Sequence, residues 1–184
     1  PSKRLEHTKI QNLISIFVEN DSSSVIMEHI ISHKTLTIDK VKDILAPGVH
    51  LTLGSDAEAA IIRCRKYLDS KMSDIGRPIY GVTTGFGSLC NISIPQEDLS
   101  QLQHNLVMSH ACGTGERVRS EIVKLMLLFK IQSLSYGYSG VQLETVLKLI
   151  DMFNHDILPL VYQQGSLGAS GDLAPLAHLC LPLI

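Results

Sequence analysis

The chain has 184 residues, enough for one ordinary domain or one large piece of a bigger one, and its 45 % hydrophobic and 18 % charged residues put it among sequences that bury a core. Sixteen Lys plus Arg against eighteen Asp plus Glu leave a net charge of −2 with no basic block, and there is no Trp; nucleic acid and anionic membrane surfaces are therefore poor partners for it. No apolar stretch reaches the ~20 residues that span a bilayer and Pro1 to Glu6 holds no continuous apolar run, so a cytoplasmic protein is expected.

In chain order, Leu5, Ile10, Leu13, Ile14, Phe17 and Val18 recur at near-helical spacing, and Val25, Ile26, Ile30 and Ile31 continue the pattern after the polar break at 20–23; together they predict a leading helical hairpin within residues 1–34. Thr35-Leu36-Thr37 and His50 to Leu53 alternate polar with apolar residues, predicting a small strand pair around a short helix that carries Val41, Ile44 and Leu45 and stops at Pro47-Gly48. Ser55 or Asp56 opens a helix through Ala57, Ala60, Ile61, Cys64 and Leu68, followed by a long turn-prone loop over 76–91. Pro95 precedes a helix with Leu99, Leu102, Leu106 and Val107 that breaks at Cys112 to Gly115. Two further helical patterns cover 116–136 and 142–155, and a second Gly-rich loop over 163–171 leads into a helix from Asp172 that tolerates Pro175 in its first turn. The fold class is mainly α with a small β element and long Gly-rich loops. Leu181 to Ile184 ends the sequence on apolar residues without a polar cap, which reads as a truncated chain.

Most generic chemical motifs fail on context. Gly85-Phe86-Gly87 and Gly113-Thr114-Gly115 follow no strand of a βαβ unit, and Gly165 to Gly171 has no P-loop Lys, so neither a dinucleotide nor an NTP site is expected. Gly168 to Asp172 lacks the last Gly of a nucleophile elbow. Cys64, Cys90, Cys112 and Cys180 form no CxxC pair and read as reduced, intracellular thiols. His29 and His33 stand at i, i+4 on an expected helix, but with no third ligand a solvated face is the better reading, and no metal is assigned.

The stretch Gln164-Gly165-Ser166-Leu167-Gly168-Ala169-Ser170-Gly171-Asp172-Leu173-Ala174-Pro175-Leu176-Ala177-His178 is different, for it resembles the aromatic amino-acid ammonia-lyases and, among them, the histidine enzymes. On the tripeptide alone a helix-entry loop capped by Asp172 would be the better reading; the fifteen residues together reverse that. Two further stretches match the family in its own order: Tyr80-Gly81-Val82-Thr83-Thr84-Gly85-Phe86-Gly87, like its tyrosine loop, and Leu102 to Ala111, like the helix lining its substrate pocket. The likeness covers roughly Thr35 to Ile184, so the chain divides into an unmatched extension, 1–34, and the N-terminal portion of an ammonia-lyase domain with the L-aspartase-like helical fold, 35–184.

The resemblance implies a cofactor made from the chain itself. Ala169, Ser170 and Gly171 would cyclise autocatalytically to 4-methylidene-imidazol-5-one. The Gly171 nitrogen must attack the Ala169 carbonyl carbon, which favours glycine's unhindered backbone, and the Ser170 hydroxyl leaves as water to expose a carbon electrophile that no natural side chain offers. Tyr80 would be the base that removes a substrate β-proton; a phenol, ordinarily titrating near pH 10, needs positive charge or hydrogen-bond donors to serve there. Ser109 and His110 would discriminate substrates: the histidine enzymes carry Ser-His here, tyrosine enzymes His-Leu and phenylalanine enzymes Phe-Leu. An imidazole at His110 can bond the substrate ring or help deprotonate its amine. The implied reaction is loss of ammonia from L-histidine to give urocanate, in a homotetramer whose sites are shared between subunits.

Thr83, where histidine enzymes commonly show Asn, and Tyr162, in place of a common Pro, depart from the histidine pattern and keep tyrosine or phenylalanine lyases and aminomutases as alternatives. The pocket residues that the family places later in its sequence lie beyond these 184. For this chain alone the expectation is therefore an unprocessed Ala169-Ser170-Gly171, no turnover, and, as an alternative of another class, a non-catalytic fragment.

Overall fold

The computed structural model describes residues 27–73, 78–85, 87, 90, 92, 94–165 and 171–184, and the expected helix over residues 5–18 lies outside them. The described residues form two compact units: one from 27–62 and 119–158, the other from 63–118 and 159–184.

In the first unit β1 (Met27–Ile31) pairs in parallel with β2 (Val49–Leu53), Met27 facing Val49 and Ile31 facing Leu53. The crossover carries α1 (Ile38–Ile44), whose Thr37 N-cap hydroxyl oxygen accepts from the Lys40 N–H at 3.2 Å and whose Val41 and Ile44 are buried. Gly48, at φ 78°, closes the turn after it, and its carbonyl accepts from the Met27 N–H. The long α2 (Ser55–Ser73) begins in this unit and continues into the other; Ala57, Ala60 and Ile61 are its buried stripe. Two more helices complete the core. On α4 (Ser120–Ser135; α3, Leu99–His110, belongs to the second unit), Val123, Leu127, Leu128 and Ile131 are buried, and on α5 (Leu143–Asn154), Val146, Leu149, Ile150 and Phe153 are buried. Polar groups fasten these helices to the strands. The Asn154 amide pairs with both the Leu51 N–H (2.7 Å) and the Leu51 carbonyl (2.9 Å), and buried Gln132 donates to the Ser32 carbonyl at 2.9 Å.

In the second unit the end of α2 carries an Arg65–Asp69 ion pair at 2.7 Å. A 3₁₀ turn at Gln96–Asp98 opens α3 (Leu99–His110). An irregular antiparallel pair joins β3 (Thr114–Arg117) to β4 (Tyr162–Gln164), and α6 (Ala174–Cys180), with Pro in its first turn, packs on α3. A final 3₁₀ turn spans Leu181–Leu183.

The mainly α expectation holds, with six helices and four short strands among the described residues. Five local expectations do not. Residues 27–31 of the expected helical extension are a strand, because the Ile30-Ile31 pair and a free edge on β2 favour pairing over a helix too short to bury its own stripe. His29 and His33 consequently share no helix face. The strand partner of β2 is β1 and not Thr35 to Thr37. Arg117 and its neighbours form β3, with α4 starting only at Ser120, and Gln163 and Gln164, expected as loop, belong with Tyr162 to the strand that pairs with it.

Candidate active site

All of the described candidate residues lie in the second unit. The tyrosine loop is a tight turn with two threonines inside it. The Ile79 N–H donates to Thr83 Oγ1 at 2.8 Å, the Thr83 N–H returns to the Ile79 carbonyl at 2.9 Å, and Ile94 N–H donates to the Thr83 carbonyl. Gly81, at φ 69°, donates its N–H to Thr84 Oγ1, a fully buried hydroxyl that itself donates to the Gly85 carbonyl at 3.0 Å. This turn pushes Tyr80 outward: its side chain is 61 % exposed and its Oη accepts from the Gly87 N–H at 3.2 Å. The Gly87 N–H is thus a hydrogen-bond donor aimed at the phenol oxygen.

The Ser109-His110 pair sits in the last turn of α3, where helix carbonyls lose their intrahelical partners. One carbonyl, that of Leu106, organises both side chains. Ser109 Oγ donates to it at 3.0 Å, and His110 Nδ1 lies 2.7 Å from it and 3.2 Å from Ser109 Oγ. Because a carbonyl only accepts, Nδ1 carries a proton in this contact. The same helix reaches back to the tyrosine loop: Gln103 Nε2 lies 3.4 Å from the carbonyls of both Gly81 and Val82. Gln103 is six residues, or about 9 Å of helix rise, from Ser109. The structure thus brings the Tyr80 loop and the Ser109-His110 helix together.

Ala169 and Ser170 lie outside the described residues; Gly171 does not. It adopts φ 99°, a conformation that L side chains rarely take, although a Cβ there would meet nothing within 4 Å. Conformation, not space, requires glycine at this position, as the expected ring closure does. Before the tripeptide, a Cβ on Gly165 would overlap the Asp172 carboxylate, so the two ends of the Gly-rich loop close on each other. Asp172 Oδ1 accepts from the Ala174 N–H at 3.1 Å, and α6 begins at Ala174, two residues later than expected.

Three supporting residues lie within the three matching stretches, where the resemblance gives them no role: Gln103, Thr84 and His178. His178 closes the fifteen-residue stretch and lies beside Ala174 and Ala177 on the buried side of α6; it is 7 % exposed and its Nε2 accepts from the Gly113 N–H at 2.9 Å.

The profile of the family described as aromatic amino acid lyase matches residues 36–184. A histidine ammonia-lyase of Clostridium tetani is 42 % identical over 86 % of this chain and 31 % of its own length, and one of Streptococcus pyogenes serotype M3 is 46 % identical over 82 % and 29 %. Among solved structures, histidine ammonia-lyase from Trypanosoma cruzi superposes with a TM-score of 0.72 at 34 % identity, over 84 % of this chain and 30 % of that one. The chain spans about a third of the length of the curated relatives it matches.

Proposed function

The chain belongs to the aromatic amino acid lyase family, and from that membership we propose that it supplies the N-terminal part of an enzyme that eliminates ammonia from L-histidine to give urocanate. The likeness to enzymes named histidine ammonia-lyase carries this reading. Ser109-His110 agrees with it, since the Leu106 carbonyl 2.7 Å from Nδ1 orients an imidazole that can bond a substrate ring. Tyr80 Oη takes the β-proton of the bound amino acid, and Gln103 holds the Tyr80 loop beside the helix that recognises the substrate.

Of the tripeptide that would form the 4-methylidene-imidazol-5-one, the described member is Gly171, and its φ of 99° fits the bend that closure requires. That group supplies a carbon electrophile that makes an amine a competent leaving group. The working enzyme is read as a cytoplasmic homotetramer.

The test is ammonia release from histidine, tyrosine and phenylalanine by a full-length lyase containing this chain, with urocanate followed by its ultraviolet absorbance. Preference for histidine is expected. Preference for tyrosine or phenylalanine would reassign the substrate and make Thr83 the better guide to it, and no release from any of the three would overturn the reading.

A further inference from the structure

His178 is the most buried histidine among the described residues and takes no part in the chemistry above. Its Nε2 lies 2.9 Å from the Gly113 nitrogen, and that nitrogen is the donor. The ring nitrogen must therefore carry a lone pair, with the proton on Nδ1. The approach is too close for any other residue at 113: a Cβ there would stand 2.9 Å from His178 Nε2, 3.1 Å from its Cδ2 and 3.2 Å from the Tyr162 Cβ. Tyr162 stands edge-on to the same ring, with centroids 5.4 Å apart. The ring is thus contacted by both an aromatic ring and a backbone N–H.

The bond spans two pieces of chain with different duties. Gly113 is three residues beyond His110, just past the Ala111 C-cap of α3, while α6 is the helix entered from Gly171. We propose that His178, as a neutral acceptor, is a positioning residue for the substrate-recognition pair: through Gly113 it pins the end of α3 to α6 and so sets where Ser109 and His110 stand. This rests on the ammonia-lyase reading for its catalytic consequence, but not for the bond itself. A helix end released from such a tether loses its exact placement, and misplacement of about 1 Å costs on the order of 10²-fold in rate.

The experiment compares His178→Phe, which keeps an aromatic ring against Tyr162 and removes the acceptor, with His178→Gln, whose side-chain oxygen restores one. In the 184-residue chain, amide hydrogen exchange at Gly113 should accelerate at least about tenfold in His178→Phe and return towards the wild-type rate in His178→Gln. In the full-length lyase, kcat/KM for histidine should fall by roughly 10- to 100-fold in the Phe variant, chiefly through KM, and recover to within about threefold in the Gln variant. If Phe does not fold, His178→Leu replaces it. Unchanged Gly113 exchange in the acceptor-free variant overturns the tether. Altered exchange with unchanged KM and kcat overturns the positioning role, whereas a wild-type enzyme that releases no ammonia from histidine, tyrosine or phenylalanine overturns the lyase reading and leaves the exchange result standing.

Discussion

At the scale of single residues, the candidate site is built by short polar groups that hold backbone, and Tyr80 is left exposed. Thr84 is the clearest case, since its buried hydroxyl serves Gly81 and Gly85 at once and so shapes the turn on which Tyr80 stands. Thr84→Val keeps the volume and deletes both bonds, and should cost about 1–3 kcal/mol in thermal or urea unfolding while loosening the tyrosine loop. Tyr80→Phe removes only the oxygen. It should lower kcat by about 10²- to 10⁴-fold with KM little changed, as measured by steady-state kinetics of the full-length enzyme; an unchanged kcat with a raised KM would make Tyr80 a binding residue. Exchanging Ser109-His110 for His-Leu removes the imidazole that Leu106 orients, and should move the ratio of kcat/KM values from histidine towards tyrosine. Tyr80, Ser109 and His110 stood out in the sequence because the stretches they belong to give each of them a chemical role. Thr84 and Gln103 lie in the same two stretches without such a role, since a threonine in a loop and a glutamine on a helix face have many ordinary uses.

At the scale of elements, the parallel β1–β2 pair shows where periodicity misleads. Ile30 and Ile31, two of the apolar residues at helical spacing, also suit a short strand, and hydrogen bonding to β2 decides between the two, a partner separated from β1 by the whole α1 crossover. The pair is then sealed by a residue far along the chain, Asn154, whose amide satisfies both polar groups of Leu51 as a third strand would. Asn154→Ala should destabilise the first unit by about 2–4 kcal/mol, readable as a lower midpoint in urea, because it leaves a part-buried N–H and C=O without that partner. His29 on β1 is held below the usual imidazole range by partial burial and then by Lys40, with Asp43 opposing. A depressed imidazole in the folded state means that the unfolded chain takes up the proton first as pH falls through about 6.5. Stability should therefore decline below that pH, and His29→Asn should flatten the decline in a denaturation series from pH 7.5 to pH 5; an identical slope in the variant would assign it elsewhere.

At the scale of the whole molecule, Leu173, Leu176 and Ile184 are 44, 40 and 51 % exposed. The 184-residue chain in isolation should self-associate in light scattering, keep the unmodified mass of the peptide spanning 169–171, and release no ammonia from histidine. A peptide two waters lighter would show that these residues suffice to drive the cyclisation. The sequence by itself determined the mainly α class, the places of α1, α2, α3 and α5, and the three stretches that mark the family, because helix periodicity and reactive motifs are local properties written within a dozen or so residues. Only the tertiary structure decided that residues 27–31 are a strand, that β3 pairs with β4 across some forty intervening residues, that Gln103 ties the Tyr80 loop to α3, and that His178 meets Gly113. Each of these is a contact between residues distant in the chain, whose free energy comes from satisfying a particular donor or acceptor in a particular place, and neither partner carries a mark of it in its own surroundings.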